Sequence, residues 1–104
     1  MDQPNKKTLV LGASANPERY SFLAINKLRK NGHPVMAIGK KTAKVADVDV
    51  VTEQKPAADI DTVTLYLNAS NQKEYYNYIL SLKPKRIIFN PGAENEELET
   101  LARA

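Results

Sequence analysis

Four short apolar runs, each broken off by a glycine or an asparagine, constrain this chain more than any other feature. They are Thr8–Gly12, Pro34–Gly39, Thr62–Leu67 (closed by Asn68) and Arg86–Phe89 (closed by Asn90). The first, between "NKK" and "GASANP", reads as a parallel strand buried on both faces, and the others as further strands. Helix-spaced segments follow three of them. Ser21 to Asn31 sets Phe22, Leu23, Ile25 and Leu28 among Lys27, Arg29 and Lys30, with Gly32 as the stop. A second helix, capped by Ser70 or Asn71, is expected to run to about Leu82 with Tyr75, Ile79 and Leu82 on one stripe. Glu94 to Arg103 reads as the last helix, its early acids Glu94, Glu96 and Glu97 suiting the positive end of the dipole. Alternating strands and helices with short connections specify a mostly parallel sheet covered on both faces. Right-handed crossovers then bring the strand C-terminal ends to one rim.

A chain of 104 residues allows one domain, residues 1–104. Residues 40–59 form the one linker-like piece: a basic stretch (Lys40, Lys41, Lys44), then "VADVDVVT", read as a short strand or an extended edge. The lack of cysteine excludes disulfide scaffolds, thiolate metal sites and cysteine nucleophiles. No apolar run approaches the ~20 residues of a membrane span, and the polar "MDQPNKK" start lacks a secretory signal's apolar stretch. A cytoplasmic, soluble protein is the expectation. The net charge of +3 divides into +7 over residues 1–44 and −4 over residues 45–104. That asymmetry suggests that one end of the fold meets an anion; solvated surface lysine is the alternative.

Ligands of such sheets bind beyond the strand C-terminal ends, where the strand order reverses. Four segments reach that rim: Gly12-Ala13-Ser14-Ala15-Asn16-Pro17, Gly39-Lys40-Lys41, Leu67-Asn68-Ala69-Ser70 and Phe89-Asn90-Pro91-Gly92. In the first, a glycine permits a tight turn and small residues let a ligand approach the main chain. The helix start that follows offers free N–H groups and a positive dipole, an anion site to which Ser14 adds a hydroxyl. An ordinary turn of small residues is the competing reading, because only one glycine of the dinucleotide pattern is present. Domains that bind NAD place an acid at the end of the second strand; here Gly39-Lys40-Lys41 stands there. Lysines beside a ribose suit an extra phosphate, as in coenzyme A or NADP, although solvated lysines account for them too.

Elsewhere the chemistry is thin. His33, in the "NGHP" turn, has no second histidine and no positioned acid near it in sequence, and reads as a surface turn residue. Of Tyr75, Tyr76 and Tyr78, at least one is expected to face the core. A nucleic-acid platform would interleave aromatic and basic residues, and only Lys73 is close, so nucleic acid is not an expected partner. No nucleophile–base pair is visible.

"LVLGASANPERYSFLAINKLRKNGHPVMAIGKK", "TVTLYL" and "IIFNPGAENEEL" together resemble the small stand-alone CoA-binding domain proteins. Those are similar to the N-terminal CoA-binding domain of the succinyl-CoA synthetase alpha subunit. The most specific stretches are Gly12 to Ser21 and the "NPG" of Asn90-Pro91-Gly92. The resemblance implies a Rossmann-like three-layer fold. It further implies that Gly12, Ala13, Ser14, Asn16 and Pro17, with Arg19 and Ser21, hold the CoA diphosphate. Lys40 or Lys41 falls near the adenosine phosphate, and Asn68 to Ser70 and Asn90 to Gly92 flank the nucleotide. Many relatives carry "NPK" where Ile38-Gly39-Lys40 stands here, and they usually continue past the last helix into an edge strand, expected to be missing from this chain. The synthetase reaction uses a phosphorylated histidine of a second domain, so the resemblance implies binding and supplies no reaction.

The reading is a non-catalytic module that binds the small-molecule nucleotide coenzyme A or an acyl-CoA and suits a sensor, carrier or regulatory subunit. The alternative is an NADP-dependent oxidoreductase or a subunit of an acyl-CoA ligase, in which a partner protein supplies the catalytic groups.

Overall fold

The computed structural model describes residues 7–103; the polar start read from the sequence lies, but for Lys7, outside them. The chain runs β1 (Thr8–Leu11), α1 (Tyr20–Lys30), β2 (Val35–Ile38), β3 (Ala43–Val45), β4 (Val48–Val51), β5 (Thr62–Leu65), α2 (Ala69–Gln72), a 3-10 turn (Lys73–Tyr75), α3 (Tyr76–Leu82), β6 (Arg86–Phe89) and α4 (Glu96–Arg103). One six-stranded sheet has the order β3-β4-β2-β1-β5-β6, every neighbouring pair parallel except β3–β4. This is the mixed, mostly parallel α/β architecture that the strand–helix alternation predicts.

The four residues of β1 are all buried because helices cover both faces of the sheet's centre. Leu9 and Leu11 pack into one cluster with Leu65, Tyr75, Ile79 and Leu98, on the α3 and α4 side. Val10 faces the other way, onto Ile25 of α1 together with Ala37, Val45 and Val50. Each fully buried Leu or Ile in these clusters contributes about 2–3 kcal/mol of transfer free energy. Gly32 ends α1 in the left-handed region, φ +80°. There its N–H donates to the Arg29 carbonyl and the N–H of His33 to that of Leu28, the paired bonds of a Schellman motif. His33 itself is half-buried rather than at the surface, because that motif folds it back over the helix end.

Residues 40–59 hold more structure than a linker. Ala43 to Val51 fold into a hairpin over the two-residue turn Ala46-Asp47, with Ala46 at φ +55°. Lys44 lies opposite Asp49 across it, an opposite-charge pair of the kind that steadies antiparallel strands. The alternation in "VADVDVVT" is that hairpin: Val45, Val48 and Val50 point into the core and Lys44 and Asp49 out.

The expected single helix to Leu82 starts two or three residues earlier and is broken. Asn68 is the cap, its Oδ1 accepting from the N–H of Asn71 at 2.9 Å, rather than Ser70 or Asn71. The 3-10 turn then tightens the chain before α3. Nor does the N-terminal excess of positive charge gather at one end. Because α1 runs back against the strands, Arg19, Lys40 and Lys41 fall at the strand C-terminal rim, while Lys27, Arg29 and Lys30 fall in its last turn at the far end. Among the described residues no helix is long and apolar enough to cross a membrane.

Candidate functional site

The chain leaves β1 toward β2 on one side and returns to β5 on the other, so the strand order reverses between β1 and β5. Loops diverge at such a point and open a crevice at the rim. Here Gly12, Gly39 and Lys40 form one wall of a cleft, with Leu67, Asn71 and Glu74 opposite. Tyr75, buried at its floor, has its phenol pushed up by burial first and by nearby Glu74 second.

Two glycines make that wall. Gly12 has φ +89°, and a Cβ there would come within 3.0 Å of the Tyr66 carbonyl carbon and 3.1 Å of the Leu67 side chain. Its freedom thus serves the turn and the close passage of the strand beside it. Gly39 is tighter still, since an added Cβ would lie 2.2 Å from the Ala13 carbonyl oxygen. The amides of Gly12 and Ala13 both donate to the Ile38 carbonyl, at 2.9 and 3.0 Å, and draw the β1 loop onto the end of β2. The sequence marked Gly39 only as a rim position; its packing role is a long-range fact.

From there the loop is shaped by local bonds. Ser14 Oγ accepts from the amide of Asn16 at 3.1 Å, and Asn16 Oδ1 accepts from the amide of Glu18 at 3.0 Å. These are the side-chain turns that serine and asparagine favour. Asn16, Pro17 and Arg19 stand exposed, whereas Ala13 and Ser21 are buried. Arg19 opens α1 in extended conformation without a side-chain cap, and no acid sits in the first turn. The helix therefore presents its opening amides and its positive dipole end with no side-chain acceptor of its own. Lys40 and Lys41 are exposed beyond β2.

The remaining rim loops are engaged internally. Asn68 caps α2, and Asn90 Nδ2 donates to Thr64 Oγ1 at 2.7 Å and to the Leu65 carbonyl at 2.9 Å. Gly92 turns at φ +92°, its amide donating to Glu94 Oε1. Pro91 and Ser70 are exposed. All four predicted rim segments thus reach one edge of the sheet; Ser21 is buried in the first turn of α1. The sequence reading missed Asn71, Glu74 and Tyr75, whose spacing on one helical face was the available signal.

The cleft holds about 60 Å³, far less than the ~300–1,000 Å³ that engulfs a drug-sized ligand. An elongated ligand would lie along this rim rather than within it. A wider groove of about 520 Å³ opens at the opposite end of the sheet, between Lys7, Arg29, Met36 and Lys55. Its arginine is already engaged by Asp47 (2.8 and 2.9 Å) and by the His33 carbonyl (2.8 Å). Among the described residues no three His, Asp or Glu side chains gather to hold a metal ion.

The family model described as "CoA binding domain" matches residues 6–104. No curated protein matches. Among solved structures the chain is similar to an uncharacterised protein known from its crystal structure, at 50% identity and TM-score 0.89, over 93% of this chain and 80% of that one. It also resembles a hypothetical protein from Pyrococcus horikoshii OT3, at 23% identity and TM-score 0.83, over 95% of this chain and 70% of that one. A Thermus thermophilus protein gives 20% identity and TM-score 0.81, over 95% and 76% of the two chains. These last two likenesses concern the fold alone.

Proposed function

The chain belongs to the CoA-binding domain family, and from that premise we propose that it is a non-catalytic module holding coenzyme A or an acyl-CoA along the strand C-terminal rim. The observation that carries the reading is the uncapped start of α1 behind a loop of small residues at the reversal of strand order. Its amides and dipole suit a diphosphate. Lys40 and Lys41, one strand over, suit the adenosine 3′-phosphate as point charges. The ligand then runs from the end of β2 across β1 toward β5 and β6, its pantetheine arm over Asn68 and Asn90. The module is read as a cytoplasmic sensor, carrier or regulatory subunit.

The test is calorimetry and thermal unfolding with CoA, 3′-dephospho-CoA, acetyl-CoA, NADP and NAD. A ligand at a hundred times its dissociation constant stabilises the native state by about 2.7 kcal/mol, a midpoint rise of roughly ten degrees for a domain this size. CoA should bind more tightly than its dephospho form. Replacing Ser14 with Glu sets a carboxylate against the diphosphate and should abolish binding without unfolding the chain. A flat response to all five, or undiminished affinity in Ser14→Glu, overturns the proposal. Preference for NADP over CoA would move the chain to the oxidoreductase class.

A further inference from the structure

Gln72 is fully buried in the last residue of α2, and its amide binds two separate loops. One Nε2 hydrogen goes to the Leu67 carbonyl at 2.7 Å, where the chain leaves β5. The other goes to the Ala93 carbonyl at 2.8 Å, where the chain has just left β6. Oε1 accepts from Asn95 Nδ2 at 2.8 Å. Asn95 in turn holds α4, its Oδ1 accepting from the Leu98 amide at 3.2 Å. Its Nδ2 also donates to Tyr76 Oη, which donates to Glu97 Oε1 at 2.9 Å. The orientation of both amides follows from their neighbours: two carbonyls demand the Gln72 nitrogen, and the Leu98 amide demands the Asn95 oxygen.

A buried amide costs stability unless all its groups are bonded, and here they are. For holding helices together a hydrocarbon of equal volume would serve as well. What the amide adds is direction, because it fixes two main-chain carbonyls on neighbouring rim loops at one separation. We infer that Gln72 is a positioning residue for the ligand. It sets the spacing between the loop after β5 and the loop after β6, and so shapes the seat of the ligand's pantetheine arm while leaving the adenosine diphosphate end untouched. The inference rests on the proposed CoA reading. It extends that reading to a side chain without access to the ligand.

The experiment compares the wild type with Gln72→Met, which keeps the volume and removes every hydrogen bond. Each is titrated with CoA and with adenosine 3′,5′-bisphosphate, which lacks the arm and the outer phosphate of the 5′-diphosphate, below the variant's unfolding midpoint. The expected result is a loss of about tenfold in CoA affinity, with bisphosphate affinity held within about twofold. A merely structural role would lower both together, and that result, like no change in either, overturns the inference. Should Gln72→Met not fold, Asn95→Ser removes the bonds to Gln72 Oε1 and Tyr76 Oη, leaves a hydroxyl to cap the Leu98 amide, and must show the same selective loss on a smaller scale. Failure of the wild type itself to bind CoA overturns the underlying reading instead, so the two failures are distinguishable.

Discussion

Where the chain leaves β1 and β2, it is held by what is absent. Gly12 and Gly39 carry no Cβ, which lets Ala13, Tyr66 and Leu67 pass close by, and the amides at the start of α1 have no side-chain cap. Where it leaves β5 and β6, it is held by what is present: the amides of Asn68, Gln72, Asn90 and Asn95 bind main-chain and side-chain groups on both sides. In the first half of the rim the helix start lacks a side-chain acceptor, and in the second the amide side chains are engaged within the chain. A group that is already satisfied can shape a site; one with donors to spare is free to bond a ligand or solvent.

The contrast can be broken most severely at Gly39. Its Gly39→Ala variant forces a methyl against the Ala13 carbonyl oxygen, so the β1 loop must leave β2. Urea unfolding should show a loss of about 3 kcal/mol, the upper range for forcing atoms into a packed site. A loss below about 1 kcal/mol would mean that the two loops are not locked together. Gly92 sharpens the point, since a Cβ there meets nothing within 4 Å. Only its φ of +92° resists substitution, and Gly92→Ala should cost roughly 1–2 kcal/mol.

On the amide side, Asn90→Ala strips Thr64 and the Leu65 carbonyl of their donor. The expected loss is about 1–2 kcal/mol, with the affinity of a nucleotide lacking its pantetheine arm unchanged. Loss of that affinity as well would make Asn90 a direct contact and blur the division. The smallest effect belongs to the far end of the sheet. Asp47 sits below its usual carboxylate range chiefly because Arg29 hydrogen-bonds to it. A depressed carboxyl stabilises the fold above its unfolded pKa of about 3.9 and ceases to do so as pH falls through the lower folded value. Asp47→Asn should therefore differ slightly from the wild type at neutral pH and converge with it in acid, with no change in ligand binding. Both partners are surface groups, so the difference is small.

Much of the fold was legible because it is written in local pattern. Thr8–Leu11 is nearly all apolar, is buried at every position and lies between two strands; Gly32 ends α1 by the bonds its φ permits. The four rim segments followed from the same runs. The hairpin of Ala43–Val51 was half legible, its alternation visible but its turn hidden at Ala46-Asp47, a pair without the glycine that marks such turns. Asn68 was overlooked as a cap because Ser70 and Asn71 offer equal chemistry, and only the point where β5 stops selects among them.

Sequence alone thus determined the alternation of strands and helices, the loops at their ends and the small-residue turn before an open helix start, for each follows from dihedral preference and burial over a few neighbouring residues. Tertiary structure alone decided that β5 returns beside β1, that Gly39 must admit the Ala13 carbonyl, and that Gln72 joins the loops after β5 and β6. Apart from the short step from Gln72 to Leu67, those are contacts between residues 21 to 54 positions apart in the chain. No local preference encodes them; they arise when buried strands and amides find their partners in a closed core.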